Sequence, residues 1–214
     1  MHIADGVLSI TPQGQAVLVA GAAAAALGTA IGLRKIDYER VPQVALLSSA
    51  FFVVSLIQFP FGPSSVHLML TGLIGLVLGW AAFPAILIAL LLQVAFFNVG
   101  GLTTLGLNTL VMALPAVGCH YLFHYPVRSS SQPLVFATGF AAGAAAIVLS
   151  SLLLLVALTL SGKQFAGYGL LLVLGHLPIA AIEGLVTASV VVLLRKVRPE
   201  MLESPLLASV GQEV

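Results

Sequence analysis

The chain has 214 residues, of which 60% are apolar and only 7% charged, with a formal net charge of +1. An ordinary soluble domain carries about a quarter charged residues, so a mean hydropathy of +1.15 excludes a large soluble domain and describes a polytopic membrane protein with an all-α fold. The balanced charge leaves no footprint for nucleic acid, and the lone Cys119 excludes an internal disulfide or a thiolate metal cluster.

The chain opens Met1-His2-Ile3-Ala4-Asp5-Gly6, and this end has the chemistry of a metal ligand. The Met1 α-amine and the His2 peptide nitrogen can close a five-membered chelate ring on one ion. The same peptide nitrogen and His2 Nδ1 can close a six-membered ring. Three nitrogens then lie near one plane with one corner open, a donor set that suits Ni(II) or Cu(II). No Lys or Arg occurs between Met1 and Gln15, so the basic start of a signal peptide is missing. His2 is also too bulky for the usual removal of Met1. Both features are expected to keep the Met1 amine in place.

Seven apolar segments follow. A spanning helix needs about 20 such residues, and the expected spans are 15–33, 44–61, 66–82, 84–98, 105–125, 134–160 and 168–194. The third and fourth are short and nearly continuous, so they are open to reading as one bent pair or a tilted hairpin. The expected organisation is a single membrane domain over 1–214: an N-terminal metal-binding segment (1–14), a bundle of about seven transmembrane helices (15–194) and a cytoplasmic tail (195–214). With the N-terminus outside, the inner loops and tail hold Arg34, Lys35, Arg40, Arg128, Arg195, Lys196 and Arg198, and the outer loops hold only Lys163. Basic residues concentrate on the cytoplasmic side, which predicts an outer N-terminus and a cytoplasmic C-terminus.

That topology puts His67 on the same side as Met1 and His2. Ser64 or Ser65 reads as a helix N-cap, with His67 in the first turn as the fourth donor; an interfacial histidine bonded to water is the alternative. The stretch 93–108 gathers Asn98, Gly100, Gly101, Thr103, Thr104, Gly106 and Asn108. Irregular backbone at membrane depth is tolerated where it lines a polar site, so Asn98, Thr103 and Asn108 are candidates to support the metal ligands; an ordinary glycine-rich turn is the other reading. His120 and His124 share a helix face but lie among Tyr121, Phe123 and Tyr125, an aromatic belt at the inner interface, and are read as structural. His176 and Glu183 share a face of the last span. Ionisable groups inside a membrane are costly and face the bundle interior, so this pair either orients a ligand or balances metal charge, or is a buried packing contact. Asp5 can accept a hydrogen bond from an amine or imidazole, cap a turn or face water. Small residues at 22, 26 and 30 and at 28 and 32 permit close helix contact, internal or with a partner.

The phosphate-loop pattern is missing, as are H-E-x-x-H and G-x-S-x-G. An enzyme is not expected, and uphill transport would require energy from another subunit.

The opening M-H-I-A-D-G, His67-Leu68, and Gly100-Gly101-Leu102-Thr103-Thr104-Leu105-Gly106-Leu107-Asn108-Thr109 resemble the CbiM/NikM family, the metal-specific substrate-capture (S) components of energy-coupling-factor (ECF) transporters. The resemblance spans nearly the whole chain. It implies capture of Ni(II) or Co(II) from outside through the Met1 amine, the His2 amide nitrogen and imidazole, and the His67 imidazole. It also implies a transmembrane coupling subunit, cytoplasmic ATPase subunits and, often, a small accessory membrane subunit. A square of nitrogen donors favours Ni(II). A stand-alone metal channel or carrier, and a structural membrane subunit without metal, are the alternative functions.

Overall fold

The computed structural model describes residues 2–61 and 64–202. Seven α-helices occur among them: α1 Pro12–Arg34, α2 Val41–Ser55, α3 Thr71–Leu78, α4 Ala82–Phe97, α5 Leu105–Phe123, α6 Gln132–Ser161 and α7 Ala166–Val197. Two short strands, β1 Gln58–Phe61 and β2 Ser64–His67, form an antiparallel hairpin in which Gln58 pairs with His67. By length and apolarity, five helical stretches can cross a membrane, Thr71–Phe97 among them as one run. The molecule is a multi-pass membrane protein. Its exposed surface is itself apolar, with Val19, Leu27, Leu160 and Leu193 all more than half exposed, as lipid-facing helices require.

The helices run back and forth between two ends. At the near end, Thr11 accepts from the Gly14 N–H (3.0 Å) to cap α1, with Pro12 at its first position, and its hydroxyl donates to the Ser161 carbonyl where α6 finishes (2.9 Å). At the far end, the Lys35 ammonium sits 5.8 Å over the Trp80 ring, and Arg128 donates to the carbonyl of Leu202, just past α7 (2.8 and 3.0 Å). The N-terminal segment and the end of α7 therefore lie at opposite ends of the bundle.

The predicted third and fourth segments are the bent pair. α3 descends from β2 toward the far end, where Gly79, with φ +55, breaks it and a tight 3-10 turn follows. α4 then climbs back beside α2, with Ser48 Oγ donating to the Ala85 carbonyl (2.7 Å) and Gln93 Nε2 donating to Ser55 Oγ. The two limbs of the apolar run are antiparallel. α3 has only 8 residues, every one buried, and α2 has 15; both are shorter than a straight span of about 20.

The structure corrects the expectation at 56–70. The second helix stops at Ser55 rather than reaching Phe61, and no helix begins at Ser64 or Ser65; α3 starts at Thr71. Pro60 and Pro63 account for this. Each lacks an N–H and biases the preceding residue toward extended backbone, and the apolar run that reads as helix becomes a hairpin. His67 consequently sits on a strand that enters the bundle, not in the first turn of a helix.

Close packing rests on small residues. A Cβ on Gly72 would come within 2.5 Å of Gly143 Cα on α6, and one on Gly106 within 2.5 Å of Ala22 Cα on α1. Gly28 and Gly32 face inward against Phe83, Trp80 and Pro84, whereas Ala26 and Ala30 face outward, so the Gly28/Gly32 contact is internal. Gly72→Val is expected to push α3 off α6 and cost about 1–3 kcal/mol, read as a lower thermal midpoint of metal-free protein in detergent.

Candidate metal centre

The site is built by the first residues folding back into the near end of the bundle. Ile3 and Leu8 are fully buried and anchor the segment, and Gly6, at φ +79, turns it. The first turn of α5 grips the Ile3 backbone. The Ile3 N–H donates to Asn108 Oδ1 (3.0 Å), and Asn108 Nδ2 and Thr104 Oγ1 donate to the Ile3 carbonyl (3.2 and 2.9 Å). An asparagine side chain carries one acceptor and one donor group, so Asn108 pairs with one peptide unit as a neighbouring strand would. Two residues on, the Asp5 N–H donates to the Gly100 carbonyl (3.2 Å) and Thr103 Oγ1 donates to Asp5 Oδ1. Gly101 has no side chain because Asp5 occupies the place a Cβ would take.

Held this way, His2 is 4% exposed and His67 1% exposed. Their rings stack with centroids 4.6 Å apart and planes 17° apart. His67 Nδ1 lies 2.8 Å from the Leu68 carbonyl. A carbonyl only accepts, so Nδ1 carries the proton and Nε2 the lone pair. Burial pushes both imidazoles well below the ordinary histidine range, and for His67 the neighbouring His2 and His176 push in the same direction. Two neutral imidazoles, the form that binds metal, thus meet across 65 residues of sequence.

The other candidates are distributed unevenly. His176 is buried on α7, its Nδ1 donating to the Leu172 carbonyl (2.7 Å), and its Nε2 has no hydrogen-bond partner. Glu183 is fully buried midway along α7. Its Oε1 accepts from the N–H groups of Met69 and Leu70 (2.7 Å for the latter), and its Oε2 is unpartnered. Asp5 and Thr103 bond to each other on the exposed rim. Asn98 is the exposed left-handed residue that ends α4 (φ +53). His120 lies at the far end, its Nδ1 donating to the Gly75 carbonyl (3.1 Å) and its ring 4.6 Å from His124. Met1 lies outside the described residues. Among the described residues no three His, Cys, Asp or Glu side chains converge on one point; a terminal chelate would draw its other donors from backbone nitrogen.

Thr104 is absent from the sequence-derived candidates, although it precedes Asn108 by four residues on the same helix face. The i,i+4 Thr/Asn pair at the start of an apolar helix was the available signal. Asn108→Ala is expected to release the Ile3 backbone and weaken metal binding by roughly tenfold; faster amide exchange at residues 3–5 would accompany it.

Comparison with known proteins agrees with this architecture. Residues 2–201 match the CbiM family, described as a cobalt uptake substrate-specific transmembrane region. A Haemophilus influenzae protein named for metal transport is 44% identical over 208 residues, covering 94% of this chain and 97% of its own length. The cobalt transport protein CbiM of Sorangium cellulosum is 31% identical over 95% of each chain. The fused nickel transport protein NikMN of Rhodobacter capsulatus is 33% identical over 94% of this chain and 64% of its own. The crystal structure of a truncated transition metal transporter superposes with a TM-score of 0.69 at 23% identity, covering 94% of this chain and 99% of that one; at that identity the likeness is one of fold. The family match over nearly the whole chain, and relatives above 30% identity along its length, establish that the chain belongs to the CbiM family.

Proposed function

We propose that this protein is the substrate-capture component of an ECF-type importer, taking Ni(II), with Co(II) as the second candidate, at the near end of the bundle. The donors are the Met1 amine, the His2 amide nitrogen, His2 Nδ1 and His67 Nε2. One observation carries the reading: His2 and His67 are both buried and stacked on each other. The grip of Asn108 and Thr104 on Ile3 supports it, because it fixes the backbone next to His2. Asp5 and Thr103 latch the same segment from outside.

Relatives named for cobalt and for nickel transport support a divalent transition metal as cargo. Nickel is the first choice because a planar nitrogen set with a deprotonated amide suits it. The basic residues Arg34, Lys35, Arg40, Arg128, Arg195, Lys196 and Arg198 all lie at the far end or just beyond it, so that end faces the cytoplasm and the histidines face outward. The sequence carries no phosphate loop. Energy therefore comes from partner ATPases through a transmembrane coupling subunit, with a small accessory membrane subunit completing the assembly. The test is calorimetric titration of protein with its native N-terminus against Ni(II) and Co(II). One equivalent per chain is expected, tighter for Ni(II); no stoichiometric binding of either metal would reject the proposal.

A further inference from the structure

The reading of His67 as a ligand leaves unanswered what holds it. Its own strand is four residues long and ends at His67, and the chain must then turn into α3 through Leu70, a non-glycine residue in the left-handed region (φ +53). Such a conformation is unfavourable for a residue with a Cβ and persists where the surroundings impose it. Here one buried side chain bonds the turn directly. Glu183 Oε1 accepts from both Met69 and Leu70 N–H groups, and the Leu70 carbonyl then accepts from Ile74 (2.9 Å) as the first hydrogen bond of α3. The carboxylate thus sits at the positive end of a buried helix, satisfying N–H groups that nothing in the helix can satisfy. It is fully buried, and the salt bridge found among the described residues, Arg198–Glu200, is elsewhere. The two bonds to the Met69 and Leu70 amides are the hydrogen bonds that Glu183's side chain makes.

We infer that Glu183 is a positioning residue for metal capture: by clamping the Met69–Leu70 peptides to the middle of α7, it sets the depth and angle at which His67 meets His2. The inference rests on the proposed role of His67 and adds what holds it there. Met69 and Leu70 follow His67 by about 7–10 Å of extended chain, so tilting or sliding this linker displaces the imidazole directly. His176 lies seven residues before Glu183 on the same helix, about 10 Å along it. The clamp acts through length and shape, not through charge. An amide oxygen in the same place can accept the same two bonds, whereas a carboxylate one methylene shorter cannot reach them.

The experiment compares Glu183→Gln with Glu183→Asp in the full chain with its native N-terminus, titrated with Ni(II). Glu183→Gln is expected to bind within about threefold of wild type, and Glu183→Asp about tenfold or more weaker. In the His67→Ala background the Asp substitution is expected to cost nothing further, which a general loss of stability would not reproduce. Asp binding as tightly as Gln, or tighter, would overturn the inference in favour of charge balance; so would an undiminished Asp effect in the His67→Ala background. Failure of wild-type protein to bind Ni(II) would instead reject the proposed function, so the two failures are distinguishable. Both variants keep a polar group at 183, and the metal-free thermal midpoint of each monitors the fold.

Discussion

One extra residue before Met1 is expected to weaken Ni(II) binding by more than the roughly 10–100-fold that loss of an outer supporting group costs. The added residue converts the Met1 amine into a peptide nitrogen, which in the proposed site removes the strongest neutral donor and the anchor of the five-membered ring. The fold offers no slack to rebuild the chelate one residue earlier. Ile3 is held at both its N–H and its carbonyl, and Asp5 is held by Gly100. Sliding the segment by one residue would place Met1 where His2 now stacks on His67, and His2 where Ile3 is buried. Calorimetry of the extended and native proteins, prepared in the same detergent, decides the matter. Native affinity in the extended protein would remove the terminal amine from the site.

His67→Ala is expected to produce the second large effect, a fall in Ni(II) affinity on the order of tenfold to a hundredfold, smaller than that of the extension. In the proposed site the terminal chelate keeps three nitrogens, so binding is expected to survive with water at the fourth corner. Replacing imidazole by water weakens the ligand field, and the visible absorption of the nickel complex should move to longer wavelength. The order of the two effects carries the meaning. A terminal chelate with one supplementary ligand requires the extension to be worse; the reverse order would make His67 the primary ligand. Retention of full affinity and an unchanged spectrum by His67→Ala would exclude it as a donor.

Much of the bundle is readable from hydropathy, because a membrane helix must satisfy its backbone internally and carry apolar residues for its whole length. The first, fifth, sixth and seventh segments end within a few residues of where they are read. The segment around 56–70 is misread for a local reason. Apolarity cannot distinguish a membrane helix from an extended strand, and Pro60 and Pro63 favour the strand. Asn98 and Asn108 belong to one polar cluster in the sequence yet take different places in the structure. Asn98 ends α4 in the left-handed conformation, and Asn108 turns inward onto Ile3. Position in a cluster says nothing of which way a side chain points once a helix begins at Leu105.

The chemistry of the first two residues was determined by covalent structure alone. The amine and the amide nitrogen are three bonds apart, and the amide nitrogen and imidazole Nδ1 four, so no fold is needed to bring them into chelating distance. Membrane residence likewise follows from composition, because so few charged residues cannot cover a soluble surface. Whether His67 reaches His2, and which groups Glu183 bonds, are questions that only the tertiary structure decided. His2 and His67 are separated by two helices and a hairpin. The clamp on Met69 and Leu70 is a contact between a side chain and backbone amides more than 110 residues away. Backbone amides are present at every residue, so the sequence carries no mark of which of them a buried carboxylate will find.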